Sequence, residues 1–503
     1  MQVHSRNIIL LVITSILLIS FGWVGYIASD DILYAHGARG WLNHMPYVGD
    51  THWSLRHTFV LPVAISFAVF GESEYSLVLV TTAYFLALLL LVYWMVAKVF
   101  NANIALATSI LIAATPLFTV SASIAGADIS ELFFVTLSLF LFYSATQRTN
   151  AANIFFLAGI AAGFAWLTRE TSIGLLLLYA VLFLIGYKAP RRLYWVLAAG
   201  FALIACAELL YYWVLQGDPL YRLWIDIDQG RSRGLAIKTP GTGNIEIIPL
   251  LNPVLAIFLN DEFGLLYYLA LPAAIWGWNT KGPLTDSQHS FLRLTIGLAL
   301  SWFITKGYLI PGRDLPRYYC VTTLCAAIIV SIWLTKALLP HHPKITVLTA
   351  TLLIVTNIVA IYVSNREPLF GEKTLVRLAA ETSEQIYTDP KTFGSAYFLL
   401  RTKGLDEKVS KKIPPADSLY FYEPNNVLQD TRPPGYAEKY RPKKNWKLIR
   451  KIPSKRKITG YVIEYLQLKT LVPPRIWQRL NSPNQAVALY RTSQPPEKAT
   501  NHQ

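Results

Sequence analysis

The sequence predicts a mainly α-helical membrane protein with many spanning helices, followed by a small water-soluble domain. Only 15% of its 503 residues are charged and 53% are hydrophobic, whereas roughly a quarter of the residues in a soluble domain carry a charge. The apolar residues occur in runs of about 20, the length that an α-helix needs to cross the hydrocarbon core of a bilayer. Residues 364–503 lack such runs and are rich in Lys and Arg, so we expect them to fold outside the membrane.

We predict about eleven spanning helices from these apolar runs. They lie near residues 8–28, 76–97, 103–123, 131–147, 153–168, 170–187, 193–215, 255–278, 291–310, 318–338 and 344–363. Ile27, Ala28 and Ser29 resemble a signal-peptide cleavage site, but the first run is longer than the apolar core of a signal peptide. Because an acidic pair also follows this run at once, we favour an uncleaved anchor.

The distribution of basic residues predicts which loops face the cytoplasm. If the N-terminus is cytoplasmic, the loops on that side carry Lys and Arg with almost no acidic residues, as the positive-inside rule requires. The opposite face then receives the acidic pair, Arg169, Glu170 and the loops 216–254 and 312–317. An odd number of helices places the tail on that outer face as well. We therefore predict a multi-pass protein of the plasma (inner) membrane with an extracytoplasmic C-terminal domain.

Two domains follow from this division, a transmembrane domain over residues 1–363 and a basic soluble domain over residues 364–503. The first outer loop, residues 29–75, is too apolar for a flexible linker, so we expect short amphipathic helices that lie along the membrane surface. Residues 216–254 contain Pro and Gly and predict a partly mobile loop.

The C-terminal domain is predicted to be a small α+β unit. Val376–Tyr387 has a helical pattern, whereas Trp446–Ile452 and Tyr461–Leu466 alternate as the two strands of a β-hairpin do. The domain carries 25 Lys and Arg against 13 Asp and Glu. On a membrane protein this surplus favours anionic lipid head groups or an anionic substrate, and we predict no nucleic-acid partner.

Asp30 and Asp31 are the most informative residues, because they follow the first apolar run at the point where a helix leaves the lipid. Carboxylates that close to hydrocarbon are costly unless they face a hydrated functional pocket. The alternative is that Ser29 or Asp30 caps a surface helix that begins near Ile32, but a cap needs only one acidic residue. We interpret the pair as a candidate general base that takes a proton from an attacking hydroxyl or amine.

Three further groups of charged residues fall on the same predicted face. Arg56 and His57 are candidates for contact with a lipid-linked phosphate, or they extend toward lipid head groups. Asp128 joins two apolar helices, where it either caps the second helix or contacts a polar site. Arg169 and Glu170 also separate two apolar runs, and such charges must form ion pairs or face a cavity.

Arg313, Arg317 and Tyr318 stand at the start of a late helix. Two arginines beside the free N–H groups of a helix N-terminus suit a phosphate, and the alternative is a solvated loop end. No metal site is predicted, because the four histidines of the first loop fit no known ligand spacing. The three cysteines all lie in apolar runs, so no disulfide framework is indicated.

These motifs, in this order, resemble the membrane glycosyltransferases of the GT-C fold, and most closely the bacterial branch of the protein O-mannosyltransferase and lipid A aminoarabinose transferase superfamily. That family has Asp-Glu after its first helix with a Tyr three residues on, and Asp30-Asp31-Ile-Leu-Tyr34 takes that place here. The other matching motifs are Arg56, Pro62, Phe70-Gly71-Glu72-Ser73, Ala114-Thr115-Pro116-Leu117-Phe118, Asp128, Gly159–Glu170 and Pro316-Arg317-Tyr318-Tyr319. The similarity covers about residues 8–340. Asp31 replaces the usual Glu, and the first loop lacks the Lys that often contacts phosphate.

The resemblance implies a GT-C type helical bundle that transfers a sugar from a polyprenyl-phosphate carrier at the extracytoplasmic face. It implies Asp30 as the base with Asp31 in support, and Arg317 with Arg56 or Arg313 as the residues that hold the donor phosphate. The other candidate substrate-binding residues are Tyr34, His57, Asp128, Arg169, Glu170 and Tyr318. The partners are then the polyprenyl-phosphate sugar, membrane lipids and an acceptor that is a lipid, a glycan or a protein.

The expected reaction is a mannosyltransferase-like direct displacement at the anomeric carbon. The leaving group is a lipid phosphate, and arginines and a helix N-terminus stabilise its developing charge. No cofactor is required, and a divalent cation is not favoured, because no nucleoside diphosphate leaves. Cytoplasmic nucleotide sugars cannot reach the outer face, which is a physical reason for a lipid carrier.

Two other classes of function remain open. A polysaccharide polymerase or ligase of the cell envelope also uses lipid-linked glycans, but it is expected to concentrate its charges in one large late loop. A non-enzymatic transporter would show broken helices and pseudo-symmetric halves, and the sequence has no visible internal repeat.

Overall fold

The computed structural model describes residues 2–236, 251–280, 284–309, 315–364, 368–429, 432–454, 458–481 and 485–493. The chain divides into two compact units. The first unit comprises Met1–Trp23, Leu33–Gly71 and Tyr75–Asn365, and the second comprises Val24–Ile32, Glu72–Glu74 and Arg366–Gln503. The second unit therefore contains the segment with the acidic pair as well as the C-terminal part of the chain.

The N-terminal three quarters of the chain are built of helices, most of them apolar. In chain order they are α1 (Gln2–Phe21), α2 (Asp30–Asn43), α3 (His57–Phe70), α4 (Glu74–Val99), α5 (Ala102–Ala113), α6 (Pro116–Ala122), α7 (Ala127–Thr146), α8 (Ala152–Thr168), α9 (Ile173–Ile185), α10 (Arg191–Gln216), α11 (Tyr221–Ala236), α12 (Asn252–Leu259), α13 (Leu266–Asn279), α14 (Asp286–Ile304), α15 (Cys320–Trp333) and α16 (Pro343–Ser364). Short 3-10 turns precede α9 and α15, and π-helical turns follow α14 and α15.

Helices occupy all eleven segments that were predicted to span the membrane. Within the described residues, six helices are long and apolar enough to cross a bilayer, or seven if the bent pair α5–α6 counts as one span. The multi-pass helical architecture is confirmed, but the count of eleven crossings is not. The segment 29–75, which was predicted to be the first outer loop, contains the two short helices α2 and α3.

Three predicted spans differ from the helices in the structure, one in its length and two in being broken. Helix α1 ends at Phe21 and not near Ala28. Helices α5 and α6 meet at an angle of 70°, because Pro116 disfavours the helical conformation at Thr115, whose backbone is extended. The predicted span 255–278 is divided between α12 and α13, and the chain turns between them through Gly264 at a φ of 55°.

The prediction of a loop over residues 216–254 is wrong in its first half. Helix α11 covers Tyr221–Ala236, and Arg222 and Asp226 lie one turn apart on it, where they form an ion pair of 3.6 Å. This pairing gives the helix a buried polar face that the Pro and Gly content did not indicate. The Pro-Gly stretch at 240–243 lies outside the described residues.

Helices α8 and α10 approach so closely that their backbones touch. A Cβ atom added at Gly159 would lie 1.9 Å from the carbonyl oxygen of Leu197, and one added at Gly200 would lie 2.1 Å from that of Phe156. Small residues at helix contacts are typical of membrane bundles, where close backbone packing supplies the stability. This packing fixes the end of α8, which leads into Arg169.

Side-chain hydrogen bonds position the start of α3 beside the end of α8. The hydroxyl groups of Thr58 and Thr168 lie 2.6 Å apart, and the Tyr84 hydroxyl donates to the carbonyl oxygen of Thr58 at 2.8 Å. The residues that flank these two threonines, Arg56 and Arg169, are therefore brought into the same region of the first unit.

The C-terminal part of the second unit is a small α+β fold, as predicted. Its helices are α17 (Phe370–Glu381), α18 (Pro390–Arg401), α19 (Pro424–Val427), α20 (Tyr436–Tyr440), α21 (Ile458–Tyr465) and α22 (Pro474–Asn481), and its strands are β1 (Ile386–Tyr387), β2 (Val409–Ser410), β3 (Leu419–Tyr422), β4 (Lys447–Ile452) and β5 (Val487–Arg491). The strand order is β2-β1-β3-β5-β4. Strand β1 is parallel to β2 and β3, whereas β5 is antiparallel to β3 and β4.

Two predictions for this domain are wrong. Residues 446–452 do form a strand, but β4 pairs with β5, and the second half of the predicted hairpin is helix α21. The predicted helix over 376–387 begins earlier, at Phe370, and ends at Glu381, so that Ile386 and Tyr387 form a strand. In both cases long-range strand pairing determined the structure and local alternation did not.

Three buried carboxylates, on Glu372, Asp389 and Glu423, interact in this domain. Asp389 caps α18 by accepting the N–H groups of Lys391 and Thr392, both at 3.0 Å, while its Oδ2 has no hydrogen-bond partner among the described residues. Burial, together with repulsion from Glu372, raises the pKa of Glu423 to about 7. The domain therefore folds with a carboxyl group that prefers its neutral form.

This carboxyl group makes the domain less stable as the pH rises. The folded pKa of Glu423 is about 7 against an ordinary value of 4.5, so the folded state binds more protons than the unfolded state between these values. The stabilisation is complete below the lower value and is lost as the pH rises through the higher one. In the full-length protein we expect amide hydrogen exchange in β3 and β5, corrected for its intrinsic pH dependence, to accelerate between about pH 5 and about pH 8.

Glu423→Gln should remove most of this acceleration, because the amide cannot ionise. Glu438→Gln, at an exposed carboxylate of the same domain, is the control and should keep the wild-type pH dependence. An unchanged acceleration in the Glu423→Gln protein would contradict the assignment.

Candidate active site

Asp31 holds together a tight turn at the start of helix α2. Its Oδ1 accepts the backbone N–H groups of Ser29 at 2.6 Å and Ile32 at 3.1 Å, and its Oδ2 accepts that of Ile27 at 2.6 Å. Ala28, which lies between two of these donors, has a φ of 52°, a left-handed conformation that costs a non-glycine residue about 1 kcal/mol or more. The Asp31 carboxylate thus stabilises a strained turn directly before α2.

The two adjacent aspartates differ in their environments. Asp31 is 1% exposed, and burial raises its pKa to about 6 although the three N–H groups oppose the shift. Asp30 is the first residue of α2 and is partly exposed. The capping alternative placed the helix start near Ile32, but α2 begins two residues earlier, at Asp30. The carboxylate that accepts backbone N–H groups is that of Asp31, and its donors are Ile27 and Ser29 of the preceding turn and Ile32.

The turn is anchored within the second unit. Glu74 accepts the backbone N–H of Tyr26 at 2.8 Å and forms an ion pair of 2.9 Å with Lys373. The Tyr26 ring is fully buried and packs against Phe398, with the ring centres 4.8 Å apart. Residues of the C-terminal domain therefore hold the segment that leads to Asp30.

In the first unit, Arg169 forms an ion pair with Asp128, which lies in the first turn of α7. Its guanidinium also lies 4.0 Å from Glu131. The Oε1 atom of Glu131 accepts the hydroxyl groups of Thr171 at 2.5 Å and Ser172 at 2.9 Å. Arg169 and Glu131 are buried and Asp128 is half-buried, and each carboxylate is compensated by a cation or by hydroxyl donors.

Three cations surround the ring of Tyr318. The guanidinium of Arg169 lies 4.7 Å from the ring centre, the ammonium of Lys306 lies 4.5 Å away, and the guanidinium of Arg317 lies 5.6 Å away. These distances are in the range of cation–π contacts. Lys306 belongs to the π-helical turn Thr305–Leu309, a deviation from α-helix that is frequent at functional sites.

Glu170 belongs to a second ion-pair network, centred on Arg222 of α11. Arg222 contacts Glu170 at 2.6 Å, Glu208 of α10 at 2.7 Å and Asp226 at 3.6 Å. Arg222 also donates to the carbonyl oxygen of Trp166 at 3.0 Å. A single buried guanidinium therefore connects α8, α10 and α11.

Arg56 reaches the same carboxylate from the other side. Its guanidinium lies 3.9 Å from Glu170 and donates to the Tyr34 hydroxyl at 2.5 Å. The Tyr34 ring is fully buried and packs edge-to-face on Phe59, with the ring centres 4.8 Å apart. The first loop and the end of α8 are thus joined through the pair of Arg56 and Glu170.

The charges of the second network balance only if one carboxyl group is protonated. Two arginines, Arg56 and Arg222, face the three acids Glu170, Glu208 and Asp226. Burial and the neighbouring Glu170 carboxylate raise the pKa of Asp226 to about 8. Burial by itself would lower the pKa of Arg222, but the carboxylates outweigh it and hold that pKa above its ordinary value. Asp226 is therefore the acid of this network whose pKa is shifted toward the protonated form.

The structure brings most of the predicted site residues of the first unit into two adjoining networks. They are Tyr34, Arg56, Asp128, Arg169, Glu170, Arg317 and Tyr318. Arg169 and Glu170 each form ion pairs, as the structural alternative required, but with separate partners and not with each other. His57 instead packs among the rings of Trp41, Tyr211 and Tyr212, and Arg313 lies outside the described residues.

Five further residues of these networks were not predicted. They are Glu131, Glu208, Arg222, Asp226 and Lys306. A charged residue within or beside a long apolar run was the available signal for Glu131, Glu208 and Lys306. No local signal distinguished Arg222 from the other charges of its segment.

Within the described parts of the chain, no three His, Cys, Asp or Glu side chains converge as a metal site requires. The prediction that the reaction needs no metal stays a prediction, since this observation does not concern the reaction itself.

The Arg222 network makes a prediction about stability. Arg222→Gln removes the buried cation that three partly buried acids share, and removal of one partner of a buried ion pair typically costs about 3 kcal/mol or more. We expect a lower thermal midpoint for the full-length protein in detergent. The exposed Arg148→Gln should leave the midpoint unchanged. Glu208→Gln added to Arg222→Gln should restore part of the loss, and a midpoint equal to wild type in the single variant would contradict the network.

Comparison of the sequence with models of known protein families gives one match. The model of the dolichyl-phosphate-mannose-protein mannosyltransferases matches residues 58–212, the part of the chain that contains Asp128, Arg169, Glu170 and Glu208. A comparison with curated proteins found no match.

Solved structures with a similar fold include two membrane enzymes. ArnT from Cupriavidus metallidurans in the apo state has a TM-score of 0.59 at 11% identity, over 96% of this chain and 98% of that one. The oligosaccharyltransferase of Archaeoglobus fulgidus in the apo form has a TM-score of 0.56 at 11% identity, over 97% and 88%. The Cupriavidus ArnT bound to undecaprenyl phosphate has a TM-score of 0.52 at 12% identity, over 96% and 97%.

At these identities the structural likeness shows the fold, and the family model matches less than a third of the chain. The expectation of a GT-C type helical bundle with a small α+β region is therefore confirmed. The chain therefore has the fold of ArnT and of the Archaeoglobus oligosaccharyltransferase, and its residues 58–212 are similar to the dolichyl-phosphate-mannose-protein mannosyltransferases.

Proposed function

We propose that the protein transfers a sugar from a polyprenyl-phosphate carrier to an acceptor at the extracytoplasmic face of the membrane, with Asp30 as the general base. The observation that carries this proposal is the convergence of Arg169, Lys306 and Arg317 on the ring of Tyr318 in a chain of the GT-C fold. The leaving group of such a reaction is a phosphate, and a phosphate requires preorganised cations.

Lys306 and Arg317 are the proposed phosphate ligands. Arg169 is already paired with Asp128 and lies near Glu131, and Arg56 is bonded to Tyr34 and Glu170. These ion pairs hold Arg169 and Arg56 in place, and Lys306 and Arg317 lie with Arg169 around the Tyr318 ring. Lys306 also supplies the lysine that the first loop lacks, from a different part of the chain.

Asp30 is favoured over Asp31 as the base, because both oxygens of Asp31 accept backbone N–H groups. Asp30 is partly exposed and begins α2. Residues four apart share a face of a helix, so Asp30 and Tyr34 lie on one face of α2. Asp31 then acts as a positioning residue, through the strained turn at Ala28.

The reaction is a displacement at the anomeric carbon of the lipid-linked sugar. A hydroxyl or amine of the acceptor forms the new bond and gives its proton to the Asp30 carboxylate. The bond from the anomeric carbon to the phosphate oxygen breaks, and the electron pair leaves with the phosphate. The cations at Tyr318 stabilise this charge more strongly in the transition state than in the ground state, which is the condition for catalysis.

The fold comparisons support the choice of carrier. A structure of the Cupriavidus ArnT, with the same fold as this chain, holds undecaprenyl phosphate. We extend a carrier of this class, a long isoprenoid phosphate, to the present protein. The positive-inside pattern supports a cytoplasmic N-terminus and an extracytoplasmic C-terminal domain in the inner membrane.

Asp30→Asn tests the base. We expect kcat to fall by about 10²-fold to 10⁴-fold with little change in the KM for the donor, because the amide cannot accept the proton. The measurement uses purified protein and a labelled polyprenyl-phosphate sugar. Asp50→Asn, in the same loop and exposed, is the matched control. Transfer at the wild-type rate by the Asp30→Asn protein would overturn the assignment, and cysteine labelling that places position 30 in the cytoplasm would overturn the whole scheme.

Lys306→Gln tests the phosphate site. Loss of one preorganised donor to a developing anion typically costs about 10²-fold in rate, so we expect kcat/KM for the lipid-linked sugar to fall by about that factor. Lys336→Gln changes the other lysine that lies in a π-helical turn and should leave kcat/KM near wild type. Equal activity of the two variants would count against the role of Lys306, whatever the result for Asp30.

A further inference from the structure

The C-terminal domain has an exposed surface that is both basic and apolar. We define the basic apolar surface as strand β4 (Lys447–Ile452) and the segment 461–471, which contains the second half of α21. Strand β4 is one of the two edge strands of the sheet. The first five of its six residues are exposed, including Leu448 and Ile449.

The positive charge of the domain is concentrated around this surface. Between Lys439 and Arg479 the sequence carries 13 Lys and Arg and a single acidic residue, Glu464. The rest of residues 364–503 carries 12 basic and 12 acidic residues. The whole surplus of the domain therefore lies in one stretch of the chain. Its described and exposed cations are Lys439, Arg441, Lys443, Lys444, Lys447, Arg450, Lys451 and Lys469.

The same stretch exposes large apolar side chains. Tyr465 is 87% exposed, Leu471 is 77% exposed and Tyr461 is 57% exposed. Val462, Leu466 and Leu468 are exposed as well. On α21, Tyr465 is four residues after Tyr461 and three residues after Val462, so these three side chains lie on one face of the helix. An exposed apolar cluster of this size usually marks a contact surface.

Neither protection of the sheet edge nor self-association accounts for the whole of this surface. Lysines on an edge strand prevent strands of neighbouring molecules from pairing, which explains β4 but not the apolar segment that follows it. A second copy of this chain would bring two surfaces of the same charge together, and such an arrangement is repulsive.

We propose that the basic apolar surface binds an anionic lipid bilayer, with the side chains of 461–471 inserted at the level of the head groups. Tyr and Leu with surrounding Lys and Arg form the pattern of interfacial membrane-binding segments, and clustered cations are attracted to anionic lipids. The chain is itself anchored in a bilayer by its spanning helices, so this surface meets lipid at a high effective concentration. The contact would hold the C-terminal domain against the membrane.

Lipid-borne quenchers test this contact in the full-length protein. Leu471→Cys is made in a Cys206→Ser background, because Cys206 is the exposed native cysteine, whereas Cys320 and Cys325 are buried. The new cysteine is labelled with an environment-sensitive fluorophore, and the protein is placed in nanodiscs of phosphatidylcholine with or without phosphatidylglycerol. We expect doxyl-labelled lipid to quench the emission by at least roughly twofold in the anionic nanodiscs, and less in the neutral ones.

Matched positions separate insertion from general proximity. Tyr465→Cys should behave as Leu471→Cys does, which guards against a local effect of one substitution. Ile413 lies in the same domain and is 65% exposed, and the emission of a label at Ile413→Cys should not be quenched. Arg450→Glu with Lys451→Glu should reduce the quenching at position 471 in anionic nanodiscs only.

Three results would overturn the proposal. Absence of quenching at both positions 465 and 471 would show that the surface does not enter lipid. A blue-shifted emission without quenching would show that protein covers the surface. Equal quenching in neutral and anionic nanodiscs would remove the role of anionic lipid. None of these measurements depends on the transferase activity.

Discussion

The need to neutralise charges inside an apolar bundle is the constraint on which the rest of this structure depends. Arg169 and Glu170 are adjacent in the chain, but they belong to different ion-pair networks, one with Asp128 and one with Arg222. A buried charge without a partner is strongly destabilising. The two networks therefore require α7, α8, α10, α11 and the first loop to adopt fixed relative positions.

This requirement also prepares the candidate site for an anion. Besides Arg169, which pairs with Asp128, the cations Lys306 and Arg317 lie beside the Tyr318 ring. Their positions are fixed by the fold before any substrate arrives. Catalysis by charge stabilisation depends on such preorganisation, because little reorganisation is then needed in the transition state. The aromatic ring between the cations reduces their mutual repulsion by contact with its π face.

Of the two aspartates at the start of α2, one stabilises the local fold and the other is the proposed base. Asp31 uses both oxygens to hold the turn around Ala28, and the side chains that anchor this turn, Glu74 and Lys373, are far apart in sequence. Asp30, the first residue of α2, is partly exposed. The sequence motif of two acids thus has one residue that is structural and one that we assign to catalysis.

The sequence by itself determined the helical membrane character, the positions of the apolar segments and most residues of the candidate site, because hydropathy is a local property and an intramembrane charge is conspicuous. Only the tertiary structure decided how those charges pair. Arg169 and Asp128 are 41 residues apart, Arg222 and Glu170 are 52 residues apart, and no local pattern encodes such contacts. The same holds for α21, whose alternating residues predicted a strand. There the partner of β4 is β5, at the end of the chain, and the free energy of that long-range pairing outweighs the local preference.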